Sequence, residues 1–498
     1  MQLIKSTDQK SARPLTQRFS QYRFLAKPTL LLAMIYLVGI SAILRSNFYY
    51  IDDIARANEG YTQWEYYSRH LMVLFGYFLH ADTYLTDISP LPQLVAILFT
   101  ALAGTISIYA LTNKKEFSLW YLIAAVPMGL SPYFLECISY KYDSAVMGLS
   151  VLVSVLPFLY HGASEKKYAT VSVLCTLCMC MSYQAAAGIY PVFVVLLCFQ
   201  RWLDGQPFTK ICRFALLSAI SYLAGLVIFR VLIMTPVNNH ASSDLPAMDA
   251  FLPSVLSAYK KYLKHYLLDF KIEWHIFVGV LCLCFLYASY KTAKPARMLA
   301  ALLSLPVLLA VAALSLGVYP FLAGPTFYPR SMYGIGCAIA LLTIFIFSRL
   351  PRLVPAKAAC FLLSWAFFSF AFTYGNALYV QSQYTDYRIM ITIDDLVESG
   401  ILEEPGIKSM RISGSIGQAP AIRHMPQDFQ ILNRLIPITF QDSEEYWGTY
   451  GLDNYYGLSG IDIVSKGDYW DMDLPIVAKS TYHTIYSDGN YIWLNLYE

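Results

Sequence analysis

The densest run of side chains able to do chemistry lies just beyond the first long apolar stretch. Tyr49-Tyr50-Ile51-Asp52-Asp53-Ile54-Ala55-Arg56 is followed by Trp64, Glu65, Tyr66, Tyr67, Ser68, Arg69 and His70. A carboxylate here could take a proton from an attacking hydroxyl, and a partly dehydrated setting would raise its pKa and make it a better base. Arginines beside it could hold a phosphate leaving group through paired hydrogen bonds. On a helix Asp52 and Arg56 share a face. Asp53 points roughly 100° away, so the two acids need not do the same job. The same spacing also suits an interfacial ion pair that simply ends a helix.

Two more groups recur in the same kind of position. Glu136, Tyr140, Lys141 and Asp143 fall within ECISYKYDSA, and Pro329-Arg330-Ser331 precedes another apolar run. Charged loops on one side of a membrane suggest a shared cleft, because intramembrane charge is costly and tends to be functional. A fourth feature is basic: Lys260, Lys261, Lys264 and Lys271 are interleaved with Tyr259, Tyr262, Leu263 and Leu267. That pattern predicts an amphipathic helix on anionic headgroups, with a lipid phosphate as another candidate partner.

The elements that must carry these residues are membrane helices. The 498 residues are 57% hydrophobic and 14% charged, with a mean hydropathy of +0.47. Ordinary soluble chains carry roughly 25% charged residues, so a cytosolic enzyme, a disordered scaffold and a nucleic-acid binder are all excluded as classes. A crossing helix needs about 20 mostly apolar residues. Windows at 28–45, 91–112, 117–135, 145–160, 168–183, 187–200, 214–234, 274–290, 298–318, 332–348 and 357–378 predict about 11 transmembrane helices. The shorter run 71–79 is expected to lie in the interface. With the N-terminus in the cytoplasm, every inside loop carries at least two Lys or Arg, as the positive-inside rule asks. Two Asp and one Arg in hydrocarbon would cost roughly 8–10 kcal/mol, so the first helix must end before Asp52, placing the acids at the outer surface.

Three regions follow: a basic cytoplasmic segment 1–27, a transmembrane region 28–378 with an outer loop at 46–90, and a tail 379–498. The tail holds seven Lys or Arg against seventeen Asp or Glu, and twelve tyrosines. Strand-like runs at 408–413 and 475–496, the latter broken by Ser487-Asp488-Gly489-Asn490, predict a small α/β domain with a hairpin. A helix is expected over 385–400. Tyr and Trp there suit either sugar stacking or an ordinary core. Cys175, Cys178 and Cys180 sit in VSVLCTLCMCM with no polar fourth ligand nearby, the setting of membrane-helix packing rather than of a metal site.

In order along the chain, YIDDIAR, the pair Trp64 and Arg69, YKYDS at 140–144, YQAAAGIY at 183–190 and YPRS at 328–331 resemble the phage-type and bacterial membrane glucosyltransferases that modify O-antigen, within the GT-C class. The pattern in that family often has Gly before the arginine, where this chain has Ser68. The resemblance implies a polytopic α-helical GT-C-like fold in the bacterial inner membrane, with the C-terminal domain extracytoplasmic. It implies transfer of a hexose, typically glucose, from a polyprenyl-phosphate-linked donor to a surface polysaccharide acceptor on the outer face. Asp52 and Asp53 are the expected catalytic acids. Arg56, Arg69, Lys141 and Arg330 are expected to hold the donor phosphate, and Tyr50, Trp64, Tyr140, Asp143 and Gln184 to line the substrate site. Some GT-C relatives use a divalent cation with acidic residues, but a monophosphate donor needs it less than a diphosphate, so no metal or other cofactor is expected.

Two other classes share these features. A lipid-linked sugar flippase would place charge along a path inside the helices. An O-antigen polymerase or ligase would favour a large outer loop between late spans and arginine-rich sites.

Overall fold

The computed structural model describes residues 22–162, 164–234, 244–403, 408–442, 452, 458, 461–463 and 473–498. Most of the basic N-terminal segment, residues 1–21, lies outside the described residues. The first half of the chain forms α1 (Ala26–Ser46), α2 (Asp53–Glu59), α3 (His70–His80), α4 (Leu91–Thr112), α5 (Leu119–Leu130), α6 (Pro132–Ser139), α7 (Ser144–Val155) and α8 (Glu165–Ser182). Then come α9 (Ile189–Leu203), α10 (Phe208–Ile228), α11 (Phe251–Asp269), α12 (Ile272–Thr292), α13 (Arg297–Leu314), α14 (Gly334–Arg349) and α15 (Val354–Glu398). Helix occupies each of the eleven apolar windows. Among the described residues seven helices are long and apolar enough to cross a membrane, or eight if the bent pair α5–α6 is one span. The 16 residues of α14 reach only about 24 Å at 1.5 Å per residue, short of a hydrocarbon core of about 30 Å.

The chain is a helical membrane protein. Its outward surface explains the hydropathy: Leu216, Leu223, Leu302 and Leu309 are more than half exposed, on helices whose other faces are packed. Such surface belongs against lipid tails. Inside, small residues let helix backbones touch. A Cβ on Gly375 of α15 would stand 2.5 Å from the Ala42 carbonyl carbon of α1, and one on Gly148 of α7 would stand 2.7 Å from the Ala96 Cα of α4.

Local chemistry sets the breaks that shape the site. Pro132 forces Ser131 into an extended conformation (ψ 145°), and α6 leaves α5 at 59°. That bend turns Glu136, Ser139 and Tyr140 toward the end of the bundle where α1 stops. At the opposite end, Arg349 pairs with Asp204 and bonds to Thr292, while Gln200 reaches the Leu111 carbonyl. The basic loops are thus gathered at one end and the acidic loops at the other.

Amphipathic helices flank the acidic end. Leu74 and Phe78 of α3 are exposed while Met72 and Gly76 are buried. Helix α11 has three faces: Val255, Ala258 and Tyr262 packed, Leu252, Leu256, Leu263 and Leu267 exposed, and Lys260, Lys261 and Lys264 exposed beside the leucines.

Helix α15 runs unbroken for 45 residues, about 68 Å, and passes residue 378 without interruption. Its last turns place Ile389 and Leu396 in a second core with Met410, Ile485, Ile492, Leu494 and Leu496. Those residues belong to a five-stranded sheet of β1 (Lys408–Gly414), β2 (Ile461–Ile463), β3 (Ile476–Lys479), β4 (His483–Ser487) and β5 (Tyr491–Leu496), ordered β2-β1-β5-β4-β3. β1 lies parallel to both neighbours, and the β3–β4–β5 pairings are antiparallel. The β4–β5 turn is closed by Asp488, whose Oδ1 accepts from the amides of Asn490 and Tyr491. Arg388 ties α15 to this sheet through the carbonyls of Tyr482 and Tyr497.

Candidate active site

The segments joining α1 to α2 and α2 to α3 are held in an unusual backbone. Asn47, Ile51, Gln63 and Ser68 all have positive φ, from 48° to 58°. Left-handed geometry is sterically costly for a β-branched residue such as Ile51, and such strain gathers at functional sites. Ser68 occupies, at φ 58°, a conformation that glycine adopts freely, which accounts for the glycine of the related pattern.

This backbone brings two aspartates onto one guanidinium, with a third beside them. Arg56 Nη1 lies 2.5 Å from Asp52 Oδ2 and 3.0 Å from Asp143 Oδ2. Trp64 Nε1 donates to Asp143 Oδ1 at 2.8 Å, and its ring lies 5.1 Å from the Arg56 guanidinium carbon. Asp53 points away from Arg56, as the helical spacing predicted. Its Oδ2 accepts from the backbone amides of Tyr50 (3.1 Å) and Lys141 (2.9 Å), while its Oδ1 is buried with no hydrogen-bond partner.

The two neighbouring acids therefore differ. The Asp52 side chain is 28% exposed; Asp53 is fully buried. Burial pushes the Asp53 carboxyl well above the usual carboxylate range, and the charges of Asp52 and Asp143 push the same way against the Lys141 amide and Arg56. Burial also raises Asp143, with Arg56 opposing it. Arg56 stays charged: burial alone would lower its pKa, but Asp143, Asp52 and Asp53 hold it above the ordinary arginine range.

A second group adjoins the first. Arg69 stacks over Tyr183 (4.7 Å) and Tyr67 (5.1 Å), and its Nε reaches Gln184 Oε1 at 3.4 Å. Among the described residues no carboxylate stands at ion-pair distance from it. Arg330 is differently placed: its amide and Nη1 both donate to Glu136, at 2.6 and 2.5 Å, and it lies over Tyr328 and Tyr140. Tyr140 in turn packs on Tyr50, ring centroids 4.8 Å apart.

Asp52, Asp53, Arg56, Trp64 and Asp143 thus converge, with Tyr50 and Tyr140 behind them and Arg69, Gln184 and Arg330 alongside. Lys141 is divided. Its backbone amide serves Asp53, but its ammonium turns to Asp87 at 2.8 Å, over the Tyr49 ring. Tyr49 OH donates to the same Asp87 oxygen. Burial would raise Asp87, yet Lys141, the Ser89 amide and Tyr49 hold it below the ordinary range. Sequence patterns gave no sign of Asp87, whose cationic partner Lys141 lies 54 residues away in the chain. Among the described residues, no group of three or more His, Cys, Asp or Glu is placed to hold a metal ion; Asp52 and Asp143 pair with Arg56, and Asp53 is turned to backbone amides.

The family described as glucosyl transferase GtrII matches residues 41–347 of this chain, more than half of it. The chain belongs to the glucosyl transferase GtrII family. The matched region takes in every residue of the acid–arginine cluster and the Arg69 and Arg330 groups, while the sheet lies outside it. A protein of Salmonella phage P22, described as an uncharacterized 55.3 kDa protein in the gtrB 5′ region, is 28% identical over 156 residues. That alignment covers 31% of this chain and 31% of the phage protein, about a third of its length. No solved structure matches.

Proposed function

We propose that this GtrII-family chain is a membrane glycosyltransferase that moves a hexose, glucose by the family's name, from a polyprenyl-phosphate-linked donor to a hydroxyl of an O-antigen-type surface polysaccharide. The work is done on the outer face of the bacterial inner membrane. Eleven traverses would put the N-terminus in the cytoplasm and the 379–498 region outside. They are the eight that are long and apolar enough to cross (the bent pair taken as one) together with α7, α8 and α14. The gathering of basic loops at one end of the bundle and of the acid–arginine cluster at the other supports that orientation.

The observation that carries the reading is the partly open Asp52 beside a buried, charge-saturated scaffold. Asp143 is fixed by Arg56 and Trp64, and Asp53 by the Tyr50 and Lys141 amides, leaving Asp52 as the acid with solvent access. In the reaction an acceptor hydroxyl attacks the anomeric carbon and gives its proton to Asp52. The bond from that carbon to the phosphate oxygen breaks, and the polyprenyl phosphate leaves with the electron pair. Arg69, held by stacking and Gln184 and lacking a carboxylate partner among the described residues, receives the phosphate charge. Arg330, neutralised by Glu136, orients the tyrosines beside it. Exposed leucines and lysines of α11 suit the outer headgroup layer through which a lipid-linked donor would approach.

A flippase would need charge along a central path. Here the buried charges of the bundle lie at its ends, which favours transfer over flipping. The test is hexose transfer by the purified protein from a polyprenyl-phosphate donor. Asp52→Asn should insert and fold normally and lose transfer; full transfer by Asp52→Asn, Asp53→Asn and the double variant would rule out the carboxylate role.

A further inference from the structure

The 379–498 region divides into two unequal parts. Its sheet packs on the end of α15, but residues 419–436 do not join that core. Ala419, Ile422, Ile431, Leu432, Leu435 and Ile436 are buried in the same apolar cluster as the membrane helices. This stretch contains two short helices, α16 (Met425–Asp428) and α17 (Leu432–Leu435). Phe429 lies between Trp274 of α12 and Phe370 of α15, with Lys271 over its ring.

At its tip two adjacent residues reach three separate parts of the candidate site. Arg434 bonds to Asp269, the last residue of α11, and to the Phe327 carbonyl, three residues before Arg330. Asp269 also accepts from Tyr133 of α6, the helix that carries Glu136. The next residue offers its carbonyl to two phenols: Tyr50 OH at 2.9 Å and Tyr374 OH at 3.2 Å donate to Leu435 O. Tyr50 is the residue whose backbone amide binds Asp53. Tyr374 reaches Ser139 of α6 at 2.8 Å.

Asp269 is buried and the Arg434 side chain is 21% exposed, so the pair is largely shielded from water. A largely buried charge pair is weak evidence of stabilisation but a good device for fixing register. Arg330, Glu136, Tyr140 and Tyr50 already connect the loop, α6 and the turn at the site itself. Arg434, Asp269 and the Leu435 carbonyl add a second connection to the same three segments from the 419–436 side.

We propose that Arg434 is a positioning residue of the transferase: with the adjoining Leu435 carbonyl it locks the FYPRS loop, α6 and the Tyr50–Asp53 turn into one arrangement. The direct contacts between the cluster that holds Arg56 and the group that holds Arg330 are then held rigid when the 419–436 segment is docked. This rests on the transferase reading above, but the docking itself can be measured without it.

The full-length protein, purified in detergent, is compared with Arg434→Ala, Asp269→Asn and the exchanged pair Asp269→Arg/Arg434→Asp. The readouts are amide exchange by mass spectrometry, thermal unfolding, and hexose transfer from a polyprenyl-phosphate donor. Arg434→Ala should speed exchange at least tenfold in both 49–60 and 326–331 and leave exchange in β4 and β5 unchanged. Its kcat should fall at least tenfold with the donor KM within about twofold, and the exchanged pair should regain much of the loss. Wild-type exchange in both loops overturns the proposal. So does a loss of kcat that merely parallels lowered thermal stability and is not regained by the exchanged pair. Should the wild type transfer no hexose, the transferase reading fails, and the exchange data alone decide: faster exchange in both loops supports the lock, and unchanged exchange overturns it.

Discussion

Replacing Arg56 with methionine removes the cation and keeps much of the apolar stem. Both of its ion pairs run through Nη1, at 2.5 Å to Asp52 and 3.0 Å to Asp143, so those two carboxylate oxygens stand no more than 5.5 Å apart. Two negative charges at that separation repel by about 3 kcal/mol at an effective dielectric constant of about 20, a repulsion that the Arg56 cation between them offsets in the wild type and that stands uncompensated without it. At about 1.4 kcal/mol per pH unit, that is a shift of about two units in the pH at which the pair keeps a proton. Asp143 is 4% exposed, so water screens little of this from its side. The sign follows from which state binds the proton. Asp53 and Asp143 already have raised folded-state pKa values, so the folded protein holds protons that the unfolded chain has released, and stability falls as pH rises above about 4. In Arg56→Met that fall steepens and extends to higher pH, and the acid limb of the kcat/KM profile moves upward by about two units. Adding Asp143→Asn removes one of the repelling charges and should bring both profiles back toward wild type. The assays are hexose transfer and thermal unfolding across pH 4 to 9 (a range of about five units, wide enough for a shift of about two). An Arg56→Met protein with the wild-type acid limb and the wild-type pH dependence of unfolding would refute the account of the cluster.

Asp53→Asn can keep both amide bonds through its carbonyl oxygen but buries an NH₂ where an unpartnered oxygen now lies; the net change in unfolding free energy should stay within about 2 kcal/mol, with a flatter dependence on pH above about 4. Calorimetry across that range checks it, and an undiminished slope contradicts the raised Asp53 carboxyl. Arg69→Ala should raise the donor KM at least tenfold through loss of a charge-assisted phosphate contact, measured by initial rates over a donor titration; an unchanged KM would move the phosphate site elsewhere. A phosphatase fused after residue 498 should be active outside the cytoplasm, whereas one placed at residue 380 would interrupt α15; an inactive C-terminal fusion would contradict the eleven-traverse topology.

Much of this was legible in sequence because the controlling physics is local. The apolar windows became helices, since a backbone in hydrocarbon must satisfy its own hydrogen bonds. Asp52 and Arg56 met because i and i+4 share a helical face. The hairpin at 487–490 formed because Asp488 can close the turn on its own backbone. What stayed hidden depended on long-range pairing. The Asp87 partner of Lys141 lies 54 residues from it in sequence, and the Asp269 partner of Arg434 lies 165 residues away. Nor does hydropathy reveal that residues 419–436 leave their own sheet to pack among membrane helices, because Ile431, Leu432 and Leu435 would suit either core. The division at residue 378 likewise marks a change of composition within one continuous helix.

The charge balance of the two groups gives them opposite preferences. Around Arg56 the carboxylates of Asp52 and Asp143 outnumber one guanidinium, so that side of the site repels an anion and favours a neutral hydroxyl able to surrender a proton. Around Tyr183, Arg330 is cancelled by Glu136 but Arg69 has no matching carboxylate among the described residues, so that side attracts an anion. Trp64 and Arg69 share one short loop, so the two preferences are fixed side by side by five residues of chain. On the proposed transferase reading, a donor phosphate drawn to Arg69 would present its sugar toward the acidic side, where Asp52 has the solvent access that Asp53 lacks. Adding a cation to the acidic side or a carboxylate beside Arg69 should harm transfer more than the loss of any single hydrogen bond, because either change reverses the polarity that orients the donor.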